Sequence, residues 1–164
     1  MPYLFRAFAL LAACAALAPA AQEKYTGPRP PKPDIPYLVH ADNLVETEVT
    51  QAREEKRGKD AVAYIVEGAS SPARTPVAEP VFLIQTEQLA PEKIELYRMN
   101  VKNGNREVVI SSKPKDSARP LRLSVTRLDE HLFRIEVNEG LGLDNGEYSL
   151  SPQGSNQVFC FAEY

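Results

Sequence analysis

Between Val81 and Glu163 the chain repeats one pattern seven times, a short apolar run with period-two alternation followed by a turn signal. The runs are Val81–Thr86, Lys93–Val101, Arg106–Ser111, Leu121–Arg127, Leu132–Asn138, Gly146–Ser151 and Gln157–Glu163. Leu121, Leu123 and Val125 alternate with Arg122, Ser124 and Thr126, and Phe133, Ile135 and Val137 alternate with Arg134 and Glu136. Successive side chains point to opposite faces of a strand, so such a run has one apolar and one polar side. Asn103-Gly104, Asp129-Glu130 and Asn145-Gly146 supply turns. Strands this short, at this spacing, predict an all-β antiparallel sandwich of about seven strands.

The last hairpin sharpens that expectation. Leu143-x-x-Gly146-x-Tyr148-x-Leu150 resembles the tyrosine corner of immunoglobulin-like and fibronectin type III-like sandwiches. The resemblance implies structural roles for Leu143, Gly146 and Tyr148, with the Tyr148 hydroxyl returning to a backbone group across the corner. Two departures stand beside it. Asn103-Gly104 makes the second and third runs a same-sheet hairpin, and the tryptophan and disulfide of antibody domains are absent. The proline-rich start, the Gly68-Ala-Ser-Ser-Pro72 loop and the Gly-Glu-Tyr ending also look like small uncharacterised secreted bacterial proteins, which implies no activity.

The N-terminus reads as an export signal over residues 1–20. Arg6 precedes an apolar run from Ala7 to Ala21, and Ala18 and Ala20 predict a cut after Ala20. Fifteen residues at ~1.5 Å rise fall short of a ~30 Å hydrocarbon core, so no membrane span is expected after cleavage. Leu11-Ala-Ala-Cys14 also resembles a lipobox, which makes Cys14 an alternative lipidation site. Loss of Arg6 takes the 19 basic residues to 18 against 22 acidic ones, a net charge of −4 (18 − 22). That balance speaks against nucleic acid as a partner.

Residues 21–36 form a proline-rich linker, with five prolines between Pro28 and Pro36. Their geometry predicts a semi-rigid polyproline II spacer. Residues 37–76 are expected to form an N-terminal β-hairpin appendage and a loop, and residues 77–164 the sandwich domain. Val45, Thr47 and Val49 alternate with polar residues, and Ala61-Val-Ala-Tyr-Ile-Val66 is strand-like, with Gly58 to turn the chain. A helix over residues 44–57, capped at Asp42 or Asn43 and running through Gln51–Lys56, is the rival, but its apolar stripe is thin. Val158–Ala162 is apolar on both sides, as is Val81–Ile84. Both faces therefore need cover, which the hairpin at 37–67 is expected to supply, with another chain as the alternative.

Chemistry is harder to find. His40 and Asp42 stand two apart, a spacing that on a strand puts both on one side. A metal or hydrolytic site there needs a further ligand such as Glu46 or Glu48. His131 falls in a turn. Cys160 is the only cysteine left after cleavage and sits between phenylalanines, which predicts a buried apolar role. Gly68-Ala-Ser-Ser lacks a nucleophile elbow, and Glu54-Glu55 and Asp129-Glu130 lie in charged stretches. No catalytic, cofactor-binding or metal-binding residues are assigned, and no cofactor. Lys113, Lys115, Arg119, Arg122 and Arg127, with Lys102 and Arg106 nearby, form a possible face for an anionic partner. These observations predict an exported, non-enzymatic binding or assembly module of the bacterial cell envelope, its partner a protein or envelope component. A lipoprotein tethered through Cys14 is the alternative, and a hydrolase or metal enzyme using His40 and Asp42 stands third.

Overall fold

The structure is a computed structural model, which describes residues 25–138, 140 and 142–164. The export signal and Cys14 lie outside the described residues. In chain order the strands are β1 (Tyr37–His40), β2 (Asn43–Glu46), β3 (Glu48–Gln51), β4 (Arg53–Arg57), β5 (Ala61–Glu67) and β6 (Arg74–Thr75). Then follow β7 (Val81–Gln85), β8 (Ile94–Lys102), β9 (Asn105–Ser111), β10 (Leu123–Arg127), β11 (Leu132–Val137), β12 (Gly146–Pro152) and β13 (Gln157–Glu163). All seven expected runs are present as β7 to β13, and Asn103-Gly104 turns β8 into β9 within one sheet. Gln51–Lys56 is extended rather than helical. Among the described residues no helix is long and apolar enough to cross a membrane.

Two antiparallel sheets pack as a sandwich. The smaller has the order β10-β11-β7-β1-β2, the larger β3-β13-β12-β8-β9-β5-β4, with β6 running parallel beside β13. Leu38, Phe82, Ile84, Ile135 and Val137 of the small sheet meet Leu96, Tyr148, Leu150, Phe159 and Phe161 of the large one. Each of these side chains is the inward member of a period-two pair, so burial follows directly from the alternation. Phe161 joins the layers: its ring lies edge-on to Phe82 at 5.1 Å and stacks on Tyr148 at 5.5 Å.

The larger sheet has a second property. Its two terminal strands, β3 and β4, are consecutive in sequence and separated only by Ala52. Residues 48–57 thus form one extended segment whose first half pairs with β13 and whose second half pairs with β5. The Ala52 amide bridges the changeover by donating to the Asn156 carbonyl at 2.8 Å. The strand path therefore returns to its start, and the sheet closes into a small barrel. A second core fills it, with Ala52, Val66, Met99, Val108, Val158 and Cys160.

This closure changes the account of the N-terminal segment. The hairpin of β4 and β5 exists, but it is a wall of the barrel on β9 rather than an appendage lying over a sheet. Residues 37–46 add β1 and β2 to the small sheet, and Thr47, whose hydroxyl donates to the Pro36 carbonyl at 2.7 Å, marks the crossing to the large one. The face of β13 carrying Val158 and Cys160 is covered because it points into the barrel.

The proline-rich stretch is docked as well, at least from Arg29 onward. Arg29 pairs with Asp129, Lys32 with Glu46 at 2.9 Å, and Pro30 and Pro36 are buried. Asp34, at a positive φ of 57°, accepts backbone N–H bonds from Glu87, Gln88 and Leu89. Burial alone would raise its carboxyl pKa, but these three donors hold it below the ordinary value. Residues 29–36 are thus a strap on the body, not a free rod.

Candidate functional site at the open end of the barrel

The barrel has two unlike ends. At one, β9 places Arg106 inward with a relative exposure of only 1%. Its guanidinium donates to both carboxylate oxygens of Glu48 at 2.6 and 2.9 Å, and to the Gly68 and Glu67 carbonyls at 2.9 and 3.0 Å. Glu147 of β12 stands 3.8 Å away and itself accepts from the Ser71 amide at 2.9 Å. Burial opposes the charge on both partners, yet their pairing raises the Arg106 pKa and holds Glu48 below its usual range. The loop from Gly68 to Ala73 crosses this end and then hands its carbonyl at Ala73 to the Ala162 amide. That end is sealed.

Above the plug the interior turns apolar. The Cys160 sulfur lies 4.0 Å from that of Met99, and Val66, Val108 and Val158 complete this layer. Burial pushes the Cys160 thiol up to about 12, opposed by Arg106, so the sulfur is a packing group and not a nucleophile.

The other end opens into a cavity of about 310 Å³. Its walls are Tyr64 on β5, Tyr97 and Met99 on β8, and Val108 and Ile110 on β9. Ser149 and Ser151 of β12 form a small polar side, and Gln153 to Asn156, the turn into β13, form an exposed rim. Glu54 and Glu95 complete the mouth. Glu95 is held on both sides: the Tyr97 hydroxyl donates to it at 2.7 Å and the Gln153 amide at 3.0 Å. Burial and the neighbouring carboxylate push the Tyr97 phenol well above its ordinary value, so it stays a donor at neutral pH. Apolar and aromatic walls with a few placed polar groups are the usual build of a small-ligand site.

The residues singled out from sequence lie elsewhere. Tyr148 is buried and its hydroxyl donates to the Asp144 carbonyl at 2.7 Å, with Leu143 packed in the inter-sheet core. A Cβ at Gly146 would lie in ordinary contact, 3.5 Å, with the Arg98 guanidinium, which itself bonds Asp144 and the Asn145 carbonyl. His40 ends β1 and Asp42 lies in the two-residue turn to β2, where Ala41 has a positive φ of 52°. The strand spacing that would align them is broken by that turn. Glu46 and Glu48, the candidate further ligands, are engaged by Lys32 and Arg106. Among the described residues no cluster of three potential metal ligands occurs.

The basic residues singled out from sequence differ in how they are engaged. Lys113 pairs with Asp60 at 3.0 Å, and Arg127 folds onto the carbonyls of its own turn at Asp129 and Glu130. Lys115 and Arg119 are exposed on the loop before β10, with Arg122 exposed just ahead of that strand. Arg106, counted from sequence with the exposed basic turn, is the plug instead. The barrel mouth itself was not anticipated. The signal available was the inward set Glu95-x-Tyr97-x-Met99, whose polar-to-apolar gradient runs into the barrel. No family model matches the chain, and no curated protein or solved structure matches it significantly.

Proposed function

We propose that this is an exported, non-enzymatic binding module of the bacterial cell envelope that takes a small, partly apolar ligand into the open end of its barrel. One observation carries the reading: the same barrel wall is closed at one end by a buried, hydrogen-bonded ion pair and left open at the other over an apolar layer. Small barrels ordinarily fill their interior with side chains. Here Ser149 and Ser151 stand where larger residues would close the mouth.

Export rests on the apolar run from Ala7 to Ala21 and its small-residue cut site. Mass spectrometry of the native N-terminus separates a chain beginning at Ala21 or Gln22 from one beginning at a lipid-modified Cys14. The kinship with immunoglobulin-like domains rests on the Leu143–Leu150 corner alone.

The ligand reading is tested with N-phenyl-1-naphthylamine, a neutral apolar dye, and with native mass spectrometry of protein isolated from the envelope. The wild type is expected to brighten the dye or carry a small adduct, and Ser151→Trp, which fills the mouth from a half-buried position, is expected to abolish both while keeping the β-sheet circular dichroism. A wild type that neither brightens the dye nor carries an adduct sinks the proposal.

A further inference from the structure

We infer that the barrel mouth selects a compact organic cation, an inference that rests on the mouth being a ligand site. Among the described residues every ionisable side chain lining it is a carboxyl or a phenol: Glu54, Glu95, Tyr64 and Tyr97. No lysine, arginine or histidine among the described residues lines it, and Lys56, next along the same side of its strand, lies beyond the lining. Glu95 is aimed by its bonds from Tyr97 and Gln153, and each of its oxygens keeps a lone pair for an incoming donor. The two tyrosines add ring faces, and a cation within ~6 Å of such a face is attracted to it. An anion at the same place meets like charge from both glutamates. Behind this polar collar, Met99 and Val108 offer only apolar surface. The cavity, at about 310 Å³, is at the lower end of the ~300–1,000 Å³ range of ligand pockets. That size suits one ring or a short hydrocarbon body bearing an amine or quaternary ammonium group.

The test uses three probes with similar bodies: 2-phenylethylammonium, 2-phenylethanol and 3-phenylpropanoate. Each is titrated into isotope-labelled protein in its native processed form, with the backbone amide signals of Tyr64, Tyr97, Val108 and Ser149 as the readout. The cation is expected to shift these signals at roughly tenfold lower concentration than the alcohol, a difference of about 1.4 kcal/mol, and the anion to leave them in place. Glu95→Gln should weaken the cation roughly three- to tenfold and leave the alcohol unchanged, since the cost of losing one charge partner falls only on the charged probe. Binding of the anion as tightly as the cation, or an unchanged cation affinity in Glu95→Gln, overturns the charge selection while leaving the pocket intact. Silence from all three probes overturns the pocket as well.

Discussion

The two ends of the barrel are built from the same strands, yet each holds its acidic groups in a different way. At the sealed end Glu48 is committed to a guanidinium that has almost no contact with water. At the open end Glu95 is held by neutral donors, a phenol and an amide, and faces a cavity. A buried charge must be paired, because desolvating an ion alone costs far more than folding can return. A carboxyl at a wet rim carries no such penalty and is free to meet a ligand. The comparison teaches that position along one barrel axis, not residue type, separates a structural acid from an available one.

Breaking the sealed end should have the largest effect. Glu48→Gln leaves the Arg106 charge buried with Glu147 3.8 Å away as its nearest acid, and is expected to cost about 3 kcal/mol in urea unfolding. The same pair sets a pH dependence. The folded-state pKa of Glu48 lies below its ordinary value of 4.5, so its contribution is present above that pH and is lost as pH falls through the depressed folded value. Thermal melts from pH 6 down to 2 should show this loss, with a shallower slope in Glu48→Gln. Some slope remains in the variant, because Asp34 and Glu46 are depressed in the same direction. An identical slope in both proteins would remove the ion pair from the account.

Tyr148→Phe keeps the ring against Phe161 and removes only the bond to the Asp144 carbonyl. About 1 kcal/mol is expected, with no change in ligand binding. The smallest effect belongs to the mouth. Glu95→Gln should shift stability by less than about 0.5 kcal/mol, as rim substitutions away from buried partners do. A loss there as large as that of Glu48→Gln would erase the contrast between the two ends.

Much of the fold was legible in the residues. Alternation located β7 to β13, the Asn103-Gly104 turn placed β8 beside β9, and the corner pattern anticipated the Tyr148 bond. The doubled apolar faces of Val158–Ala162 correctly announced that something covers both sides. The cover itself was not legible. Period-two alternation is the same for the wet face of a sandwich and for the inside of a barrel, so Glu95, Tyr97 and Met99 carry no mark of which they are. Arg106 shows the same limit, since a lysine or arginine beside a turn is ordinarily solvated.

By itself, then, the order of residues determined the strands, the turns, the corner and the apolar sides, because these depend on neighbours within a few positions. Only the tertiary structure decided that residues 48–51, at the head of the segment that hairpins locally onto β5, would pair with β13. That choice joins strands about a hundred residues apart, and it rests on simultaneous burial of Arg106, Cys160 and Met99 rather than on any local preference. The closed barrel holds the plug at one end and leaves the mouth at Tyr64 and Tyr97 open at the other, and residues 29–36 strap onto the body through Asp129 and Glu46.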